Sequence, residues 1–320
     1  MSLVQSLRFE VYERERHYAQ VKSLFELSFE HELSDALWHW KMDTMHGVGL
    51  CAFLEAEMIA FYGGMPRKLA QQGDSFVFLQ IRDVMVHPKV RGILRRKGPF
   101  VLTAKAFLDT FVQADGEFCS AFGFPNDRAF RIGELSNLYE ATDKVWEYSW
   151  QTVAKRRWSS KAGLVDPQCQ ATQKRYHQSV AAFQQSTQLY MAGDKSWDYL
   201  NKRYLEHPAF DYQIIECRSW WHSPVFAVVK PLDDQQLELM DLIGATTGFA
   251  NAIQTLKSWA HKQSYTVISG WFSDSMTTWL APSEQVQQIC RVPKPKQHGI
   301  TWTESMNGKL WLMAGDTDFK

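Results

Sequence analysis

The residues best suited to chemistry lie in one segment of the first half, Ile81–Gly92 and the basic residues that follow it. An apolar β-like run stops at Pro88, and five cations then fall within nine residues: Lys89, Arg91, Arg95, Arg96 and Lys97. An amphipathic helix is predicted next, from about Pro99. A strand end, a loop with free N–H groups and a helix N-terminus together attract a phosphate or pyrophosphate. The segment therefore predicts an anion site, and a solvent-exposed basic turn is the alternative interpretation.

An acidic residue, Asp83, stands on the strand that leads into this loop. A carboxylate there could accept a proton from a bound substrate, directly or through a water molecule. A solubilising role, or a salt bridge with the neighbouring Arg82, explains an acidic residue there equally well. Asp83 is our candidate general base.

Two stretches of this region resemble the signatures of a known family. Val86-His87-Pro88-Lys89-Val90-Arg91-Gly92 is similar to the strand-to-loop sequence of GNAT N-acyltransferases, in which a Q/R-x-x-G-x-G/A loop binds the CoA pyrophosphate. Downstream of Gly123-Phe124-Pro125, the residues Asn126, Ala129 and Ile132 are similar to the family's Asn-x-x-Ala-x-x-Leu element. The resemblance covers roughly 7–150.

This resemblance implies that the first half binds acetyl-CoA as co-substrate, with the pantetheine arm along the backbone of the fourth strand. The residues expected to bind it are Met85, Val86, Arg91, Gly92, Arg95, Arg96, Lys97, Gly98, Pro99, Phe100 and Asn126.

The sequence departs from the family pattern at two places. Leu94 and Arg96 stand where the loop has small residues, so we expect a lengthened loop in which Gly98 allows the close approach of phosphate. Gly133 stands where the family often carries the Tyr that protonates the departing thiolate. Tyr139 is the nearest replacement and our candidate general acid, and a core Tyr is the alternative interpretation.

The elements that position these residues follow from hydrophobic periodicity. In the first half we predict strands at Leu7–Tyr12, Gly49–Glu55, Glu57–Arg67, Ser75–Val86, Glu117–Phe124 and Val145–Thr152. We predict helices at Tyr18–Phe29, Asp35–Met42, Pro99–Gln113 and Asp127–Leu135. Gly63-Gly64 predicts a bulge or bend, and Gln71-Gln72-Gly73-Asp74 predicts a hairpin turn.

The second half repeats the order of helix, three strands, helix, strand and helix. The predicted elements are Trp197–Tyr204, Tyr212–Cys217, Val225–Val229, Gln236–Ile243, Phe249–His261, Tyr265–Trp271 and Met276–Leu280, and a final strand could form at Leu310–Met313. A neutral Gly244–Gly248 loop replaces the basic loop, so no second cofactor is expected.

The fold class that this order predicts is α/β (α+β), with two GNAT-like mixed sheets flanked by helices and a degenerate second copy. We expect an acyl-CoA-binding domain over 1–153, a linker over 154–187 that holds one helix, and the second domain over 188–320.

Composition excludes several classes of protein. Lys+Arg and Asp+Glu number 35 each, which disfavours a nucleic-acid partner. Five Cys without a C-x-x-C pair are typical of reduced thiols, and the ten His lack the spacing of a metal site. No signal core and no apolar run of ~18 residues is present. We expect a cytoplasmic monomer or homodimer with no metal, nucleic-acid or membrane partner.

The function predicted from these features is transfer of an acyl group, by expectation acetyl, from CoA to a primary amine of a small molecule or peptide. Amino sugars, amino acids and peptides all remain open as acceptors. The alternative is a non-catalytic protein that uses a GNAT scaffold to bind a ligand. A transferase that uses charged tRNA is a third interpretation, which the neutral charge balance disfavours.

Overall fold

The computed structural model describes residues 7–91, 98–113, 116–154, 159–296 and 306–317. Its strands are β1 (Leu7–Val11), β2 (Val48–Leu54), β3 (Glu57–Gln71), β4 (Asp74–Val86), β5 (Ser120–Gly123), β6 (Tyr139–Gln151), β7 (Ser160–Leu164), β8 (Met191–Gly193), β9 (Gln213–Ser219), β10 (Val225–Pro231), β11 (Gln236–Ile243), β12 (Val267–Ser273), β13 (Gln285–Pro295) and β14 (Leu310–Trp311).

The α-helices are α1 (Arg14–Phe29), α2 (Asp35–His39), α3 (Pro88–Arg91), α4 (Pro99–Phe111), α5 (Asp127–Leu135), α6 (Gln170–Ser186), α7 (Trp197–Leu200) and α8 (Phe249–Lys262). Helices α2 and α7 each continue into a π-helical turn, Trp40–Thr44 and Asn201–Leu205 respectively. Short 3-10 turns cover Thr246–Gly248, Asp274–Trp279 and Ala314–Asp316.

The chain divides into two compact units. The first unit contains Met1–Lys68, Phe76–Thr142 and Arg291–Ser305, and the second contains Leu69–Ser75, Asp143–Cys290 and Met306–Lys320.

The sheet of the first unit has the order β1-β2-β3-β4-β5, with β1–β2 and β2–β3 antiparallel and β4–β5 parallel. Successive residues of β2 face opposite sides, as strand geometry requires. Leu50 packs in a cluster with Phe107 of α4, and Cys51 packs in another with Val21 of α1 and Trp38 of α2. The sheet is therefore covered by helices on both faces.

The second unit repeats this topology. Strands β7, β9, β10, β11 and β12 lie side by side in that order, the first three pairings antiparallel and β11–β12 parallel. The β6 strand then pairs antiparallel with β12. Helix α8 supplies Phe249, Ile253 and Leu256 to the core of this unit. The predicted repeat and the predicted fold class of two mixed sheets flanked by helices are confirmed.

The bulge or bend predicted at Gly63-Gly64 does not appear in the pairing with β2, where Gly63 and Gly64 lie opposite Gly49 and Val48 in regular register. The register shift lies instead between Ala52 and Phe53 of β2. Gly64 has a packing role, since a Cβ there would lie 2.9 Å from the Phe107 ring. The hairpin at Gln72 and Gly73 is confirmed, with φ values of 53° and 93°.

The segment 154–187, expected to be a linker with one helix, contains both β7 and α6. Strand β7 pairs with β9, and α6 buries Tyr176 and Phe183 to 1% exposure each. The segment is thus part of the second unit and includes the helix that follows its first strand, as α1 follows β1. Strands β8 and β13 were not predicted.

Candidate active site

Strand β4 carries most of the predicted site, and its regular geometry ends at Asp83. This residue has φ 45°, in the left-handed region that residues other than glycine seldom adopt. Pairing of β4 with β5 ends at the Ile81–Gly123 pair, although β4 continues to Val86. Strand β5 ends at Gly123, so within the described residues β4 has no partner strand on its β5 side beyond Ile81, and we call this interruption of the pairing the gap. The backbone polar groups along that edge need another partner.

The Asp83 carboxylate lies in a buried ion-pair cluster. Lys41 donates to it over 2.8 Å and the Arg82 guanidinium also contacts it, with all three side chains at most 5% exposed. Burial alone would raise the pKa of Asp83, but the charges and hydrogen bonds of Lys41 and Arg82 outweigh it and hold that pKa below its ordinary value. The salt bridge with Arg82, one of the alternatives open from the sequence, is present.

Lys41 is the residue of this cluster that sequence reasoning missed. It lies in the π-helical turn after α2, a helix capped by the Ser34 hydroxyl, which accepts from the Leu37 N–H. The Lys41 carbonyl also accepts from Arg82 over 3.3 Å. The sequence signal that could have pointed to Lys41 is its place between Trp40 and Met42. A cation among large apolar neighbours needs a countercharge when it is buried.

At Met85 the end of β4 offers a ligand its backbone and not its side chain. The Met85 side chain is fully buried and packs in the cluster around Trp38. The Val86 carbonyl accepts from Arg91 Nε over 3.2 Å, and Arg91 also approaches the Ser28 carbonyl at 3.4 Å. Arg91 is exposed at this point, close to the start of the predicted phosphate loop.

The N-terminus of α4 is positioned as the sequence predicted. Gly98 is its N-cap and Pro99 opens its first turn. The first helical hydrogen bond runs from the Leu102 N–H to the Gly98 carbonyl over 3.1 Å, so the N–H groups of Phe100 and Val101 precede the helical pattern. Such groups carry the positive end of the helix dipole. Gly92, Arg95, Arg96 and Lys97, which complete the predicted loop, lie outside the described residues.

Asn126 acts as the N-cap of α5. Its side-chain oxygen accepts from the Ala129 N–H over 2.9 Å, which fixes the start of the helix at Asp127. Asn126 is exposed, and the structure assigns it this capping contact.

Tyr139 and Gly133 lie against each other. A Cβ on Gly133 would overlap the Tyr139 ring and hydroxyl, so the glycine is required by the tyrosine. The Tyr139 hydroxyl donates to the Ala129 carbonyl over 3.3 Å, and burial raises the pKa of this phenol. Tyr139 thus fills the space beside position 133, in contact with α5, and the structure does not bring it together with Asp83.

The second unit contains a cluster like the one at Asp83. Lys195 donates to Asp241 on β11 over 2.7 Å, and the Tyr204 hydroxyl donates to the same carboxylate over 3.0 Å. The loop before α8 is neutral, and the Thr246 N–H is taken by the Ser186 hydroxyl at 3.2 Å. The two units therefore share a buried lysine–aspartate pair and differ in their loops.

Two further observations concern the described residues as a set. They contain no group of three or more His, Cys, Asp or Glu side chains placed to hold a metal ion. None of the helices built from them has both the length and the apolar character needed to cross a membrane.

Solved structures with the same architecture share little sequence with this chain. No protein-family model matches the sequence, and no curated protein matches it. A protein of unknown function from Enterococcus faecalis, called a probable N-acyltransferase, superposes with a TM-score of 0.65 at 13% identity, covering 90% of this chain and 72% of that one. A GCN5-related N-acetyltransferase from Kribbella flavida gives 0.60 at 14% identity, covering 92% and 72%.

N-myristoyltransferase from Saccharomyces cerevisiae, solved with bound myristoyl-CoA, gives a TM-score of 0.53 at 9% identity, covering 92% of this chain and 80% of that one. At such identities the likeness concerns the fold alone. The resemblance inferred from the sequence is confirmed at that level: this chain has the fold of the GCN5-related (GNAT) N-acyltransferases.

Proposed function

We propose that this protein transfers an acyl group, acetyl by preference, from CoA to a primary amine. The observation that carries the proposal is the gap in the pairing of β4 with β5, which is followed along the chain by the N-terminus of α4. An extended ligand with amide groups can pair with the free edge of β4, as a peptide does in strand addition. A pyrophosphate at its end would meet the first N–H groups of α4 and the cations of the 89–97 segment.

The backbone N–H groups and cations of this chain are of the chemical types that a CoA donor needs. The donor would supply a thioester carbonyl, and the N–H groups at the end of β4 would orient and polarise it. The amine nitrogen forms the new bond to the carbonyl carbon as the carbon–sulfur bond breaks. The ammonium must lose its proton before this attack, and the CoA thiolate gains one afterwards. The buried Met85 side chain packs that part of β4 against the cluster around Trp38.

Asp83 is proposed to act in the transfer step, and the ion pairs define how. A carboxylate whose pKa is lowered by Lys41 and Arg82 is a weak base at neutral pH. We therefore propose that Asp83 is a positioning residue that fixes both cations beside the gap, with direct proton acceptance as the competing role. Tyr139 remains the proposed proton donor to the thiolate.

Calorimetric titration with CoA and acetyl-CoA tests the proposal. We expect binding, and we expect Arg95→Gln/Arg96→Gln to weaken it by about 1.5–3 kcal/mol for each phosphate hydrogen bond removed, the range of a hydrogen bond to a charged group. Arg128→Gln, an exposed arginine on α5, is the matched control and should leave affinity unchanged. A wild-type protein that binds neither form at millimolar concentration would remove the proposal.

A ligand-binding protein without catalysis is the second candidate. It is favoured by Gly133 at the position of the family's acid and by the Tyr139 hydroxyl bonded to the Ala129 carbonyl. Thiol release from acetyl-CoA in the presence of amino sugars, amino acids or peptides separates the two candidates. Binding without release across all three panels favours the second.

A further inference from the structure

In both units the parallel strand pairing ends at an equivalent place. In the second unit the parallel pairing of β11 and β12 ends at Leu239 and Gly270. Strand β11 continues to Ile243 and β12 continues to Ser273. This second gap corresponds in topology to the gap between β4 and β5, and the same need for a hydrogen-bonding partner exists along its edges.

A segment near the end of the chain, which we call the tail segment (310–317), pairs with the β12 edge of this gap. The Ser273 N–H donates to the Leu312 carbonyl over 3.0 Å, and the Leu312 N–H donates to the Ser273 hydroxyl over 3.0 Å. Phe272 and Met313 form an antiparallel bridge. The hydroxyls of Ser273 and Ser275 both reach the Leu310 carbonyl at 2.6 Å. One backbone hydrogen bond, one antiparallel bridge and three hydrogen bonds of serine hydroxyls thus join the tail segment to this edge.

The tail segment also reaches the opposite edge of the gap. A Cβ on Gly315 would lie 2.9 Å from the Met240 carbonyl of β11 and would overlap the Tyr204 hydroxyl. Arg203 donates to the carbonyls of Gly315 and Thr317 over 3.0 and 2.6 Å. The segment is therefore held from both sides.

The tail segment is shielded from solvent along its whole length. Every residue of the tail segment is buried, from Leu310 at 0% exposure to Thr317 at 0%. Trp311 packs in the core of the unit against Phe183 and Phe249. The turn closes on itself, since Asp316 accepts from the Met313 N–H over 2.8 Å.

We propose that the tail segment is a built-in occupant of the second gap, in the place that the acyl donor takes in the first. This inference rests on the proposed function of the first unit. It predicts a single donor site in each chain, because β11, the strand that corresponds to β4, faces a gap that the protein itself already fills. The neutral Gly244–Gly248 loop agrees with this division of roles, since it offers a pyrophosphate no cation.

Hydrogen exchange of the full chain, read by mass spectrometry with and without millimolar CoA, tests the inference. In the free protein we expect the tail amides to exchange as slowly as those of β12 and at least about 100-fold more slowly than an unstructured peptide. CoA should slow exchange in Arg82–Val86 and at the start of α4, and leave β11, β12 and the tail segment unchanged. Calorimetry should give one CoA for each chain.

A variant that adds a single methyl group at Gly315 tests how the tail segment is held. Gly315→Ala places a Cβ against the Tyr204 hydroxyl, which is bonded to Asp241 and cannot turn away freely. We expect the tail amides to exchange at least about tenfold faster in this variant, with CoA protection of β4 retained. Gly163→Ala is the matched control, because a Cβ there meets nothing within 4 Å.

The outcomes separate this inference from the proposed function. CoA protection of β11, β12 or the tail segment, or two CoA for each chain, would overturn the inference and leave the function standing. Rapid exchange of the wild-type tail amides would overturn it as well. The absence of CoA protection anywhere would remove the proposed function and, with it, the comparison with a donor.

Discussion

Neutralising Asp83 is the most direct test of the buried charge cluster. Asp83→Asn keeps the size of the side chain and removes the negative charge that Lys41 and Arg82 both contact. The side chains of the pair with Lys41 are 5% and 4% exposed, so water screens the loss only slightly. Removal of one partner from a buried ion pair costs about 3–5 kcal/mol. We expect the free energy of unfolding to fall by that amount.

Urea denaturation at neutral pH, followed by circular dichroism, gives this free energy. Asp198→Asn is the control, because Asp198 pairs with Lys202 at 2.9 Å on the surface with its side chain 74% exposed; we expect a decrease below about 0.5 kcal/mol. The double variant Lys41→Met/Asp83→Asn should lose less stability than the two single variants summed, since the charges are removed together. A decrease at Asp83 no larger than the decrease at Asp198 would refute the reasoning.

The same variant also tests the role of Asp83 in transfer. A positioning residue predicts lower turnover with the acidic limb of the pH–rate profile unchanged. A general base predicts a loss of about 10²–10⁴-fold and the disappearance of that limb. The comparison is made at a temperature where both proteins remain folded.

Two further predictions concern groups elsewhere in the fold. Burial raises the pKa of Asp143 to about 7, with Asp274 adding to the rise and the N–H groups of Lys144 and Leu310 opposing it. Its stabilising contribution is therefore present below about pH 4 and lost as pH rises toward 7, at about 1.4 kcal/mol per pH unit. Asp143→Asn should remove this slope in unfolding free energies measured between pH 4 and 8. An unchanged slope would contradict the assignment. Gly133→Ala should destabilise the protein by about 1–3 kcal/mol despite the better helix propensity of alanine, because the new methyl group meets the buried Tyr139 ring. Thermal unfolding measures this, and a Gly133→Ala protein as stable as wild type would show that the ring can move.

The parts of the fold that sequence reasoning predicted are those with local signals. Helix α5 begins where predicted because Asn126 caps it, and α4 begins where predicted because Pro99 suits a first turn. The three strands after α7 were found because each is a compact apolar run. Element order was then enough to predict the repeat, although the side chains of the two halves hardly match.

The parts that were missed depend on contacts between distant residues. Helix α6 places Tyr176, Val180 and Phe183 at helical spacing, but its many polar residues made the segment resemble a linker. Strand β13 begins with exposed polar residues and then buries Lys294, whose ammonium lies 3.3 Å from Glu140. A buried cation breaks the alternation on which strand prediction relies. Tertiary pairing decides these cases, and one sequence does not display it.

The candidate site shows the same limit, and the two buried pairs explain why. From sequence alone Asp83 is an acidic residue beside the expected thioester site, and a general base and a salt bridge with Arg82 explain it equally well. The second unit buries Asp241 against Lys195 at an equivalent place on β11, in a gap that its own chain fills. The same kind of ion pair occurs in a gap proposed to bind a donor and in a gap occupied by the tail segment. It is explained most simply by what the two gaps share. In both gaps one parallel strand continues beyond the end of its pairing. A buried carboxylate held by a lysine fixes the backbone at that point. Chemistry specific to the first unit must then come from features that only that unit has, such as the basic loop and the free edge of β4.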